Sequence, residues 1–155
     1  MVNADSDTYS NSSGAEQELL ALRLARGVRR AFEDLGQACL VEFSLASGRR
    51  ADVMAMDPKG RLSIVEIKSS LADFRSDGKW PEYRDYCDAL YFAVAENFPK
   101  RILPEDCGLI VADAYGASIL RPAPAHPLNA ARRKAVTLRF AQVAARRLAA
   151  ASDPR

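Results

Sequence analysis

Residues 49–68 read RRADVMAMDPKGRLSIVEIK, and this stretch decides the fold. Two largely apolar runs, residues 50–56 and 62–68, flank the tetrapeptide DPKG at residues 57–60. This tetrapeptide predicts a tight turn, because proline presets the backbone at its second position and glycine suits the fourth. The two runs are therefore predicted to pair as an antiparallel β-hairpin.

Asp52 lies near the start of the first strand and Glu66 near the end of the second, so both belong to the same end of the hairpin. Whether they share a face depends on the register, which the sequence leaves open. Glu66 and Lys68 are two residues apart and point the same way on a strand. Two adjacent carboxylates need a cation between them, and Mg²⁺ or Mn²⁺ prefers such oxygen ligands, with the backbone carbonyl of Ile67 as a further ligand.

Asp52, Glu66 and Lys68 are the predicted catalytic residues, since Lys68 would orient or deprotonate a water or neutralise a phosphate. A Glu-x-Lys pattern alone is also typical of a cross-strand ion pair. Here the charges interrupt an apolar strand, where unpaired charge is costly. Glu42 interrupts the preceding strand and is either a third acidic ligand or an ion-pair partner of Arg50; the sequence leaves both open.

Outward from the hairpin, hydrophobic periodicity divides the remaining chain into helices and strands. Their order indicates an α/β fold with a mixed central β-sheet flanked by helices. The predicted elements are a helix at residues 16–35, a strand at 38–45, a loop and short helix within 71–86, strands at 89–95, 107–112 and 117–120, a proline-rich linker at 121–127 and a helix at 129–149.

The chain has 155 residues, of which 48% are hydrophobic and 27% charged, as expected for one globular domain at residues 16–150. Residues 1–15 are polar and acidic and are predicted to form a disordered tail. No apolar run approaches the roughly 20 residues of a membrane helix, so we expect a cytoplasmic protein without membrane contact. The three cysteines have no metal-binding spacing and are predicted to be buried thiols.

The spacing of Asp52, Glu66 and Lys68 on a hairpin after a first helix resembles the PD-(D/E)XK nuclease superfamily, although Ala51 replaces the usual proline. That superfamily often carries a polar residue and a tyrosine four apart on the following helix, matched here by Lys79 and Tyr83. The resemblance implies a restriction-endonuclease-like fold, an Mg²⁺-dependent endonuclease that hydrolyses phosphodiester bonds in DNA, and an accessory role for Lys79 and Tyr83.

A wider run of segments (GRRADV, VEIKSS, KWPEYRDYCD and GLIVADAYGA) resembles the bacterial MmcB family of DNA repair proteins over roughly residues 20–148. This resemblance implies a role in handling damaged DNA. The implied partners are DNA together with a second copy of the chain or other repair proteins.

Five arginines are candidate DNA contacts. Two of them flank the hairpin site, and three recur every seven residues on the last helix, where a solvated helix face is the ordinary alternative. Two further functions stay open: a non-catalytic DNA-binding or scaffold protein that retains the nuclease fold, and a protein-interaction module using KWPEYRDYCD. The five are Arg49, Arg50, Arg132, Arg139 and Arg146.

Overall fold

The computed structural model describes the backbone of residues 6–155 and the side chains of residues 13–155. Three α-helices, two short 3₁₀ helices and six strands follow one another along this part of the chain. In order they are α1 (Ser6–Asp34), β1 (Ala38–Ser44), β2 (Arg50–Met56), β3 (Leu62–Ile67), α2 (Leu71–Ser76), a 3₁₀ helix (Trp80–Tyr86), β4 (Ala89–Val94), a 3₁₀ helix (Lys100–Ile102), β5 (Gly108–Ala112), β6 (Ala117–Arg121) and α3 (Ala130–Ser152).

The first helix is longer than predicted. It begins at Ser6 instead of Glu16, so residues 6–15 belong to α1 and not to a disordered tail. The physical reason is that no proline interrupts this segment, and a helix that has already formed extends at little cost. The predicted disorder of residues 1–5 lies outside the described residues.

The six strands form one mixed sheet in the order β1-β2-β3-β4-β5-β6. The first three strands make an antiparallel meander, which contains the predicted hairpin as β2 and β3. Strands β3, β4 and β5 are parallel, and β6 returns antiparallel to β5. This confirms the predicted mixed sheet with flanking helices and agrees with a restriction-endonuclease-like fold. The carboxyl ends of β3, β4 and β5 consequently share one end of the sheet with the start of β2.

Both faces of the sheet are covered. Helix α1 buries Leu24, Val28 and Phe32 against one face. Helix α3 and the Trp80–Tyr86 3₁₀ helix cover the other, where Val136 and Phe140 of α3 join the core. Burying an apolar side chain of this size contributes roughly 1.5–3 kcal/mol, so the two layers hold the sheet and fix its end for the site described below.

Helix α1 approaches the turn between β5 and β6 at Gly27. A Cβ atom added to this glycine would lie 1.9 Å from the Asp113 carbonyl oxygen and 2.5 Å from that of Gly116. No side chain fits at those distances, so glycine is required for the helix to pack this closely.

One buried carboxylate ties α3 to the sheet. Asp88 is 3% exposed and accepts hydrogen bonds from the amides of Leu62 (2.8 Å) and Leu128 (2.9 Å). The guanidinium of Arg133 makes a bidentate ion pair with the same carboxylate. Burial alone would raise the pKa of Asp88, but these hydrogen bonds and the Arg133 charge lower it to about 2. Asp88 is therefore an ionised structural anchor.

The outer edge of the sheet at β1 is also covered by α3. Arg147 donates to the carbonyl oxygens of Val41 (2.6 Å) and Glu42 (2.9 Å), and Arg139 donates to that of Ser44. These bonds satisfy acceptors that an edge strand would otherwise present to another chain.

The cysteines agree largely with the predicted buried thiols. Cys87 and Cys107 are buried and Cys39 is half-buried, and all three are free. Burial raises the pKa of Cys107 to about 11, so this thiol is unreactive near neutral pH. Within residues 6–155, no helix combines the length and the apolar character needed to cross a membrane.

Candidate active site

Asp52 and Glu66 face each other at one end of the β2–β3 hairpin. The ladder pairs Val53 with Val65, and continuing this register by one position sets Asp52 opposite Glu66. Residues directly opposite in an antiparallel pair project from the same face. The two carboxylates are thus on one side of the sheet, which the sequence alone left open.

Each carboxylate is oriented by a backbone amide of the hairpin. Asp52 Oδ2 accepts from the Ile67 amide at 2.7 Å, and Glu66 Oε1 accepts from the Asp52 amide at 3.3 Å. These side-chain bonds occupy the end of the hairpin, beyond the last paired residues of the ladder. Hydrogen bonds of the hairpin itself therefore orient both carboxylates.

Glu66 is buried and Asp52 is half-buried, and the two carboxylates repel each other when both are ionised. Glu66 is 4% exposed, and its pKa is raised to about 9 by burial and then by the neighbouring charge of Asp52. Burial likewise raises the pKa of Asp52, although the Ile67 amide and the charge of Lys68 act in the opposite direction. A cation bound here would relieve both the burial cost and the repulsion.

Lys68 follows β3 and is held beside the carboxylate pair. Its side chain is 5% exposed, and its Nζ lies 2.6 Å from Asp77 Oδ2 and 4.0 Å from Asp73 Oδ1. Burial would raise the pKa of Asp77, but the hydrogen bond and charge of Lys68 hold it below its ordinary value. The ammonium group is thus fixed in position by two aspartates of the following segment.

Asp73 and Asp77 are site residues that the sequence reasoning missed. Asp73 lies in the first turn of α2, where Ser70 caps the helix by accepting from the Asp73 amide at 3.0 Å. The spacing of Ser70 and Asp73 is a helix-start signal. That signal places the start of a helix immediately after Lys68, which would have indicated acidic groups close to the lysine.

The two predicted accessory residues differ in their placement. Tyr83 is buried, and its hydroxyl donates to the Arg50 carbonyl oxygen at 3.1 Å. Burial and then the charges of Glu66 and Asp52 raise the pKa of Tyr83, which reflects its position close to the pair. Lys79 occupies the N-cap position of the 3₁₀ helix, but its exposed side chain makes no capping hydrogen bond; its backbone amide donates to Asp77 Oδ1 at 3.1 Å. Only Tyr83 is therefore built into the site.

Glu42 lies within ion-pair distance of Arg50, the second of its two predicted roles, while its role as a third acidic ligand stays a prediction. Its Oε1 lies 4.0 Å from a guanidinium nitrogen of Arg50, and both side chains are more than half exposed. Its backbone has a φ of 50°, which is uncommon for a residue other than glycine. Among the side chains described, no three His, Cys, Asp or Glu residues are grouped so that they could hold a metal ion.

Most of the predicted DNA-contacting arginines already have intramolecular partners. Arg49 pairs with Glu82 at 2.6 Å, Arg132 lies 4.5 Å from the ring centre of Tyr86, and Arg139 caps the β1 edge as described above. Arg146 is exposed. DNA binding through these residues stays a prediction.

A groove of about 430 Å³ runs between α1 and the hairpin, and we call it the α1 groove. Arg26 and Arg29 of α1 and Arg50 of β2 line it, and Asp52 reaches it from the carboxylate pair. Arg26 and Arg29 were not among the predicted site residues, although their spacing of three residues places them on one helix face. The remaining walls include Ala21, Leu22, Ala25, Val41 and Ile67.

Three comparisons with known proteins bear on this site. A search of curated proteins finds no match. Among solved structures, the chain is similar to the SPO1766 protein of unknown function from Silicibacter pomeroyi, with 48% sequence identity and a TM-score of 0.84 over 86% of this chain and 92% of that chain. The model of the family described as DNA repair protein MmcB-like matches residues 8–155, which include the whole sheet and the carboxylate pair. The chain accordingly belongs to the MmcB-like family of DNA repair proteins.

Proposed function

We propose that this protein is a divalent-metal-dependent deoxyribonuclease of the PD-(D/E)XK type that acts in DNA repair. The observation that carries the proposal is that the half-buried Asp52 and the buried Glu66 face each other, with the buried ammonium of Lys68 beside them. Buried carboxylates with raised pKa values are expensive for a fold, and such groups concentrate at functional sites. The repair setting comes from the family to which the chain belongs.

The donor set fits Mg²⁺ or Mn²⁺. Asp52, Glu66 and the backbone carbonyl of Ile67 would hold the ion, since hard cations take oxygen ligands and Mg²⁺ is commonly bound by one or two carboxylates plus water and phosphate. The Ile67 amide occupies one lone pair of Asp52 Oδ2, which leaves further lone pairs for coordination. When bound, the ion would supply Lewis-acid polarisation of the phosphate and a lower pKa for a nearby water.

Lys68 supplies the fixed positive charge of the site. Its Nζ can donate a hydrogen bond to a water or to a phosphate oxygen while Asp77 keeps the long side chain in one orientation. Preorganisation of this kind favours the developing negative charge of a phosphodiester under attack. Tyr83 contributes by holding the Arg50 backbone, and with it the start of β2, against the site.

One observation favours a second candidate, a DNA-binding repair protein that retains the nuclease fold without cleaving. The ammonium of Lys68 is only 2.6 Å from Asp77, so part of its charge is already compensated within the protein. In this alternative the carboxylates would have no chemical task, and DNA binding would be independent of metal. The proposal and its alternative therefore differ in a measurable property.

The deciding experiment is a cleavage assay on linear, nicked, branched and single-stranded DNA with Mg²⁺, Mn²⁺ or EDTA. We expect metal-dependent product from the wild type and a loss of at least about 100-fold for Glu66→Gln, because a neutral amide cannot replace a ligand carboxylate. The matched control is Glu105→Gln, an exposed glutamate outside the site, which should cleave normally. Circular dichroism would verify that each variant is folded.

Unchanged cleavage by Glu66→Gln would exclude the proposed chemistry. Absence of product from the wild type on every substrate, together with DNA binding in EDTA, would establish the non-catalytic alternative. Asp52→Asn and Lys68→Met are expected to behave like Glu66→Gln, since they remove the second carboxylate ligand and the fixed charge.

A further inference from the structure

The α1 groove has an apolar interior. Ala21, Ala25, Val41 and Ile67 line it, and Leu22 stands beside them with 55% of its surface exposed. The small side chains of Ala21 and Ala25 are four residues apart on α1 and leave the space that the groove occupies. An exposed apolar surface of this kind is unfavourable in water unless a ligand covers it.

Cations border this apolar surface. Arg26 makes no hydrogen bond or ion pair with any residue whose side chain is described, so its charge is available to a ligand. Arg29 and Arg50 make ion pairs of 3.6 Å and 4.0 Å with exposed glutamates. Exposed pairs contribute little, so a phosphate can displace them.

Three acidic residues also line the groove, and among the described side chains none of them forms an ion pair with Arg26. Glu42 is the exposed partner of Arg50, and Asp52 accepts a hydrogen bond from the Ile67 amide, which offsets part of its charge without a metal ion. Glu18 is exposed on α1, in the turn before Leu22. The groove therefore combines an apolar interior, a cationic border and one end at the carboxylate pair.

We infer that the α1 groove binds an unpaired stretch of a DNA strand and leads it to Asp52. This inference rests on the proposed function, because the groove ends at a proposed metal ligand. A duplex stacks its bases inward and offers phosphates, sugars and base edges, but no base faces, to such a surface. An unpaired nucleotide offers a base face that can pack against the apolar side chains and stack on a guanidinium plane, and a phosphate to the arginines.

The test is a fluorescence anisotropy titration of the full chain in EDTA, without any divalent metal, so that cleavage plays no part. The probes are a labelled single-stranded DNA, its duplex, and an RNA of the same sequence. Arg26→Glu is compared with Arg61→Glu, an exposed arginine at the opposite end of the hairpin. Leu22→Gln is compared with Leu138→Gln, because the two leucines are 55% and 54% exposed on helices.

We expect the single strand to bind more tightly than the duplex or the RNA. Arg26→Glu should weaken single-strand binding by roughly tenfold, and Leu22→Gln by roughly fivefold, while both controls stay within about twofold. The dependence on salt should also become shallower in Arg26→Glu, because fewer counterions are released.

Equal affinity for duplex and single strand, tighter binding of RNA, or full affinity of both groove variants would overturn the inference. Binding that follows the expected pattern in a protein that never cleaves DNA would support the groove and refute the proposed nuclease. Cleavage that is lost in Glu66→Gln but unaffected by the groove variants would support the proposed nuclease and refute the role of the groove.

Discussion

Glu66→Gln is expected to change how the stability of the metal-free protein depends on pH. The folded-state pKa of Glu66 is about 9, against an ordinary value of 4.5. Between these values the folded protein keeps a proton that the unfolded chain has released. Unfolding then releases a proton, so the stability of the wild type falls as pH rises through this window. Glutamine accepts the same amide hydrogen bond but does not titrate.

The size of this pH dependence follows from the release of one proton when the wild-type protein unfolds. Inside the window the slope is about 1.4 kcal/mol per pH unit, so between about pH 6 and about pH 8 the wild type should lose about 3 kcal/mol relative to Glu66→Gln. Urea unfolding of both proteins in EDTA at the two pH values measures this difference. If the free energies of unfolding of the wild type and Glu66→Gln differed by the same amount at both pH values, Glu66 would not be protonated in the folded protein.

Adding Mg²⁺ to the same measurement tests the proposed ligand role. Metal binding requires the ionised carboxylate, so Mg²⁺ should raise the stability of the wild type more at the higher pH. Glu66→Gln should gain much less at either pH. An equal gain in both proteins would mean that the ion binds elsewhere.

Three further substitutions test the packing around the site. Asp77→Asn should lower the free energy of unfolding by about 1–3 kcal/mol near neutral pH, because Lys68 loses its closest charged partner. The pKa of Asp77 in the folded protein is below its ordinary value of 3.8, so this loss of stability should disappear as the pH falls through the folded-state pKa. Asp88→Asn should lower the free energy of unfolding by about 3 kcal/mol, because one of the two buried oxygens that accept from Leu62, Leu128 and Arg133 becomes an NH2 donor. Gly27→Ala should lower the free energy of unfolding by at least about 2 kcal/mol, because the added Cβ would overlap with backbone oxygens. The comparison variant is Gly14→Ala, in the same helix but with open space around it, which should raise the free energy of unfolding by up to about 1 kcal/mol.

Chemical denaturation measures all three effects, and Asp85→Asn is the shared control for the two aspartates. Asp85 is exposed, so its substitution should change stability by less than about 0.5 kcal/mol. A cost for Asp77→Asn that persists in acid would contradict the assigned ion pair. Equal effects of the two glycine substitutions would contradict the close contact of α1 with the β5–β6 turn.

The sequence predicted the hairpin well because its signals are local. Two largely apolar runs and the turn at residues 57–60 predict two paired strands, and in the structure the Gly60 amide donates to the Asp57 carbonyl oxygen at 3.0 Å. The common face of Asp52 and Glu66 could not be predicted in the same way. It depends on the pairing of Val53 with Val65, and a slip of one residue would have separated the carboxylates.

Other parts of the site depend on contacts between segments distant in sequence. The partners of Lys68 come from α2 and the segment after it, whose six-residue helix gives too short a pattern to orient side chains. The α1 groove arises where α1 crosses the hairpin, and periodicity gives the buried face of a helix but not what lies along its flank. Arg132 and Arg139 illustrate the same limit, since their spacing does not reveal the Tyr86 ring and the Ser44 carbonyl that they contact.

The carboxylate of Asp88 has a consequence for any attempt to divide the protein into fragments. Its donors come from β3, from the segment before α3 and from α3 itself, so one charge connects parts of the chain from Leu62 to Arg133. A version that ends before Arg133 would leave this anion buried without its counter-charge. The C-terminal helix is therefore an integral part of a single cooperative unit, and shortened versions intended for biochemical dissection should retain it.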